Sequence, residues 1–193
     1  MRAMLQKRPV SRQRRVDPAR FPTVAVRPAP GDRLRALVRF GPLCFRAALG
    51  RGGVTVFKRE GDGATPLAAM TVQGGFRRGN MLILAPAGVL LERVGKRDGW
   101  CDAAGHAAYN LPVRLPFPAS HETLCRDDAL YDFGLVLDWN MTCRRREAGS
   151  AIFLHVARPG LEPTEGCVAL RRRDLIRLLP FIGRGTIVRV TRG

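Results

Sequence analysis

Lysine, aromatic side chains, paired cysteines and long apolar runs are all scarce in this sequence of 193 residues. The longest stretch without a charged residue covers positions 63–76 and is broken by Pro66 and Gln73. A bilayer-spanning helix needs about 20 predominantly apolar residues, so no transmembrane segment is expected. The five cysteines are odd in number and lack framework spacing, which does not argue for a disulfide scaffold. Cys101, His106, His121 and Cys125 are zinc-compatible ligand types, but C-x4-H-x14-H-x3-C matches no common finger and no CxxC pair accompanies it. No metal and no cofactor is expected. Whether Cys44, Cys101, Cys125 and Cys143 are free, disulfide-bonded or metal-bound stays open at this level.

What the sequence has in excess is arginine. It carries 33 basic residues against 16 acidic ones, a formal net charge of +17, and only Lys7, Lys58 and Lys96 among the basic residues are lysine. The excess sits at the two ends: residues 1–35 and 171–193 hold most of it, and the middle has nearly balanced charge. Arginine triplets at 144–146 and 171–173 and the cluster at 12–15 would suit phosphates. The nine Phe, two Tyr and two Trp are not interleaved with them, and no nucleic-acid-binding motif is visible. Specific nucleic-acid binding is therefore not expected. A basic nucleic-acid binder, or a non-catalytic cell-wall-binding module, is the alternative to an enzyme. The N-terminal 26 residues offer positive charge without the apolar run of 7–15 residues that a secretory signal requires, so no signal peptide is read and the cytosol is the default from sequence alone.

Residues 1–33 are rich in Arg and Pro without a sustained period and read as a basic arm. From Leu34 onward short apolar runs alternate with turn residues. Strands are expected at 34–40, 43–49, 54–58, 81–85, 89–94, 135–139, 151–156 and 186–190. Hairpins are expected at Gly41-Pro42 and around Pro86 and Gly88. One helix stands out, with Leu175, Leu178, Leu179 and Ile182 on one stripe, closed by Pro180 and Gly183. Many short strands with few helices indicate a mainly β sandwich or barrel over residues 34–193.

The sharpest constellation is AIFLHVARPGLEPTEGCVAL at 151–170. A β run carries His155; Pro159, Gly160 and Pro163 then forbid a continuous helix before Cys167. A loop folding back can bring thiol and imidazole together, which is what an activated cysteine requires. Gly166 leaves backbone N–H groups unobstructed beside the sulfur, where an oxyanion could sit. A buried cysteine and a core histidine on neighbouring strands would give the same pattern.

This stretch resembles the active-site motif of the L,D-transpeptidase catalytic domain (YkuD-type), in which a strand histidine precedes a [Ser/Thr]-x-Gly-Cys segment. The matching residues are His155, Thr164, Gly166 and Cys167. A weaker likeness is Gly61-Asp62-Gly63-Ala64-Thr65-Pro66, where the family often has a Thr-Pro step; a third is the order of elements, with the His strand and Cys loop late in the chain. The resemblance is to a compact branch without an attached peptidoglycan-binding module. It differs in having Glu165 where many members have a second His, and Ala169 where many have Arg or Asn.

The resemblance implies a YkuD-like β-sandwich/barrel with a few short helices, acting on peptidoglycan stem peptides as a transferase, with hydrolysis as a possible side reaction. His155 would deprotonate Cys167, the nucleophile of a thioester pathway, and main chain after His155 would orient the imidazole. Gly166, Thr164, Glu165, Arg126 and Tyr109 are the candidate oxyanion and substrate-binding residues: Glu165 for a substrate ammonium or as loop surface, and Arg126 for a stem carboxylate and Tyr109 as a cleft wall, against the commoner reading of both as surface turn residues. A carbapenem is the expected covalent inhibitor, and the periplasm the implied location.

Overall fold

The computed structural model describes residues 23–79 and 88–193, and among these β-structure dominates. Strands β1 (Thr23–Ala29), β2 (Asp32–Phe40) and β3 (Leu43–Ala48) form an antiparallel meander, with the turn at Gly41 as expected. A two-residue parallel pair, β4 (Val54–Thr55) and β5 (Thr65–Pro66), follows. Then come β6 (Ala69–Arg78), β7 (Leu91–Val94), and a separate three-stranded sheet of β8 (Asp98–Cys101), β9 (Pro112–Arg114) and β10 (His121–Thr123). The chain ends with β11 (Phe133–Leu137), β12 (Phe153–Val156), β13 (Val168–Leu170), α1 (Arg172–Leu178) and β14 (Ile187–Val190).

Eight strands close on themselves in the order β11-β12-β13-β3-β2-β1-β14-β6, because β6 also pairs with β11; β7 adds to β6 in parallel. The closed ring leaves its member strands no free edge along the paired segments. Side chains alternate across each strand. On β12 and β13, Leu154, Val156, Val168 and Leu170 point into the barrel core, while Phe153 and His155 point outward. Leu175, Leu178, Leu179 and Ile182 are fully buried in the same core, Leu179 on a 3₁₀ turn at Leu179–Phe181 and Ile182 directly after it. Each such side chain contributes about 1.5–3 kcal/mol by leaving water.

Residues 23–33, assigned to the basic arm from sequence, belong to the barrel. Val24 and Val26 are wholly buried, and β1 lies between β2 and β14. An apolar alternation only two residues long beside Arg27 and Pro28 hides a strand whose partners are distant in sequence. The expected strand at 54–58 stops at Thr55, whose Oγ1 accepts from the Phe57 N–H and turns the chain. The strand expected at 81–85, and its hairpin, lie outside the described residues. The longest strand, β6, escaped prediction because Gly74-Gly75 interrupts it. Gly75 is required there: a Cβ would stand 2.3 Å from a Leu91 methyl and 2.8 Å from the Gly134 carbonyl.

Candidate active site

Parallel pairing of β12 with β13 sets Leu154 beside Val168 and His155 beside Ala169. Continuing the register puts Cys167 beside Phe153, on the outward face that also carries His155. The Phe153 N–H donates to Cys167 Sγ at 3.3 Å, and the thiol donates to the Ala151 carbonyl at 3.2 Å. His155 Nδ1 lies 2.8 Å from the Val156 carbonyl. A carbonyl only accepts, so this contact is made by the tautomer with its proton on Nδ1 and the lone pair on Nε2; the main chain of Leu130 also lies against the ring.

Both groups are buried, His155 at 4% exposure and Cys167 at 7%. Burial pushes the Cys167 thiol up to about 12 and the His155 imidazole down to about 4. The resting state is therefore neutral thiol with neutral imidazole. Both line one cavity of about 360 Å³, and the thiol hydrogen goes to the main chain of Ala151 in this state.

The cysteine loop is held from two sides. Thr164 Oγ1 donates to the Cys167 carbonyl at 2.6 Å and accepts from the Gly166 N–H at 3.2 Å. Gly166 has φ +134, and a Cβ would stand 2.9 Å from the Ala64 carbonyl, so glycine is needed for both reasons. Thr164 also exchanges backbone bonds with Leu49 and Arg51. Thr65 is fully buried and its Oγ1 accepts from the Gly50 N–H, so the Thr-Pro step braces this loop from behind, while Gly61 of the same segment reaches the cavity.

The opposite wall comes from the three-stranded lobe. Trp100 and Tyr131 stand edge-on to Phe153, with ring centroids 5.2 and 5.8 Å away, and Tyr131 stands edge-on to His155 at 5.2 Å. Gly134, paired with His155 on β11, leaves room for this cluster; a Cβ there would stand 2.8 Å from Phe76. From the lobe and its connection to β11, Asp102, Glu122, Arg126, Leu130 and Tyr131 reach the cavity.

Several of the expected residues have partners within the protein that the sequence did not reveal. Arg126 lines the cavity but is held by Asp128, at 2.7, 3.0 and 3.2 Å. Glu165 faces Arg51, whose Nε lies 2.8 and 3.0 Å from its two oxygens. The Gly166 N–H is committed to Thr164. Tyr109 is buried behind the cavity, its hydroxyl donating at 2.5 Å to Glu60, which also accepts from Ser150 at 2.8 Å. Burial and the Glu60 charge hold the Tyr109 phenol above its usual range. Glu60, Asp102, Glu122 and Tyr131 were missed because the pairings that gather them are long-range.

Residues 36–190 match the family model of the L,D-transpeptidase catalytic domain, YkuD. The search of curated proteins gave no match. Solved structures similar to this chain include two of L,D-transpeptidase 3 from Mycobacterium tuberculosis, one of them in complex with a faropenem-derived adduct. They are 14% and 16% identical to it, with TM-scores of 0.41, and the alignments cover 87% of this chain. The chain spans 60% of the length of those structures.

Proposed function

Because the chain belongs to the YkuD family of L,D-transpeptidase catalytic domains, we propose that it is a peptidoglycan L,D-transpeptidase that works through a Cys167 thioester. The observation that supports this most directly is a single cavity holding both Cys167 and an imidazole whose Nδ1 is fixed on the Val156 carbonyl. His155 Nε2 takes the thiol proton as sulfur attacks the carbonyl of an L-configured centre in a donor stem peptide. Because burial favours the neutral pair, the proton moves as the S–C bond forms. The C–N bond to the following D-residue then breaks, and the leaving amine takes the proton from His155. An acceptor amine resolves the thioester by the reverse sequence, or water does so in a carboxypeptidase side reaction.

The Val156 carbonyl acts as the third member of the triad, holding the imidazole in its tautomer. With the Gly166 N–H bound to Thr164, the Cys167 N–H is the backbone donor beside the sulfur that would meet the oxyanion. Thr164 and Gly166 shape the loop, and Glu165 belongs to its rim. Peptidoglycan as substrate carries the protein to the periplasm. Among the described residues no helix is long and apolar enough to cross a membrane.

The test is incubation of the protein with disaccharide-tetrapeptide, read by mass spectrometry for cross-linked, exchanged or trimmed stems. Cys167→Ala is expected to abolish every product, and His155→Ala to lose about 10²–10⁴-fold in rate. Undiminished turnover by Cys167→Ala would contradict the thioester pathway.

A further inference from the structure

Ala151, just before β12, has φ +52, a left-handed conformation disfavoured about five- to thirtyfold for a residue with a Cβ. Its N–H donates to Asn110 Oδ1 at 3.1 Å, and its carbonyl accepts the Cys167 thiol at 3.2 Å. Asn110 lies between β8 and β9 and is 1% exposed. Its Oδ1 also accepts from the Trp100 indole N–H at 3.0 Å, and its Nδ2 donates to the Trp139 carbonyl at 2.9 Å. N–H groups only donate and a carbonyl only accepts, so the amide has one orientation. The Asn110 main-chain N–H donates to the Cys101 carbonyl at 2.8 Å, which ties the residue to the end of β8. A buried amide with partners at both ends is a fixed point. This one reaches the sulfur through a single intervening residue.

Strained backbone of this kind persists only where its surroundings enforce it. We propose that Asn110 is a positioning residue for the Cys167 nucleophile: it holds Ala151 in the left-handed conformation, so that the Ala151 carbonyl takes the thiol hydrogen at rest. The sulfur then sits between two main-chain groups of one short segment, the Phe153 N–H and the Ala151 carbonyl, and its direction is set before substrate arrives. The thiol hydrogen leaves that carbonyl for His155 Nε2 only as sulfur attacks. Without Asn110 the Ala151 N–H loses its acceptor, the residue relaxes to negative φ, and its carbonyl turns away from the sulfur. The lobe thereby aims a nucleophile that the barrel carries. The effect on turnover rests on the transferase reading; the effect on the resting thiol does not.

Two readouts on the full chain test this. The infrared difference between each protein and its Cys167→Ala counterpart isolates the S–H stretch of Cys167, which lies at lower frequency when the thiol donates a hydrogen bond. The unmodified protein is expected to show the bonded band, and Asn110→Ala to move it to the position of a free thiol. Transfer between stem tetrapeptides is expected to fall at least about tenfold in kcat in Asn110→Ala, with KM little changed. A double-mutant cycle with Ala151→Gly separates positioning from mere support of the lobe. Glycine takes positive φ unaided, so the loss caused by Asn110→Ala is expected to be smaller by about fivefold or more in the Ala151→Gly protein. Asn110→Asp keeps the acceptor for Trp100 and Ala151 and is expected to keep the bonded band, which decides the matter if Asn110→Ala does not fold. An unmoved band in Asn110→Ala, a lost band in Asn110→Asp, or an equal loss with and without Ala151→Gly would overturn the positioning role and leave the transferase reading intact. The expected bands in proteins that transfer nothing would overturn the transferase reading and leave the positioning role.

Discussion

The barrel and the three-stranded lobe meet at the cavity but are held by different means. The barrel is a closed ring whose interior is filled by fully buried aliphatic side chains from strands and α1. The lobe has strands of three and four residues, and its attachment depends on a few rings, with Trp100 and Tyr131 meeting Phe76 and Phe153. The barrel fixes Cys167 and His155; the lobe and its connection to β11 bring Asp102, Glu122 and Arg126 to the cavity beside them. On the proposed function, the chemistry belongs to the part with the larger core, while the part with the smaller core forms one wall of the cavity.

Phe153 is where the two regions join, since its ring is fully buried among the lobe aromatics and its N–H bonds to the sulfur. Phe153→Ala is expected to give the largest effect on stability, about 3–5 kcal/mol, measured by denaturant unfolding. A loss below about 1 kcal/mol would mean that the aromatic cluster does not couple lobe to barrel.

The next effect sharpens the comparison from the barrel side. The buried His155 has a folded pKa near 4, below its unfolded value of about 6.5. The unfolded chain therefore binds more protons between those values. The stability tied to the neutral imidazole is complete above pH 6.5 and falls by about 3 kcal/mol as pH drops to 4. Unfolding midpoints at pH 7 and pH 4, compared between the protein and His155→Gln, isolate this contribution from the carboxylates. Parallel losses in the two would contradict the buried neutral base.

Trp100→Ala is expected to show the smallest change in global stability. The lobe is expected to open without the barrel, which caps the cost at the free energy of that opening, below the roughly 3–5 kcal/mol of a Trp truncation in a single core. Hydrogen exchange should quicken in β8, β9 and β10 and stay unchanged in β12 and β13. Uniform quickening across both would make lobe and barrel one cooperative unit.

This division also explains what the sequence made legible. The His155 strand and the Thr164-Glu165-Gly166-Cys167 loop are local patterns that appear where the sequence put them, and the leucine stripe begins on α1 as expected but passes after Leu178 into a 3₁₀ turn. The barrel's edge was misjudged at residues 23–33, where the strand signal is two valines long and the partners lie at 36–39 and 187–190. The cavity-lining residues outside that loop were the least legible. Glu165 and Arg126 have the right chemistry but meet Arg51 and Asp128 first, pairings invisible in one dimension. Asp102 and Glu122 come together only through the register of β8 with β10, which no motif announces.

The most direct test of the central claim needs no stem peptide. A carbapenem presents a strained acyl group whose opening uses the same parts as the donor half-reaction, a Cys167 thiolate and proton control by His155. Intact-mass and peptide-mapping spectrometry should find one adduct per chain, on Cys167, lost in Cys167→Ala, with Cys125 unmodified although His121 lies four residues before it. A single adduct on another cysteine, persisting in Cys167→Ala and lost when that other residue is replaced, would contradict the account.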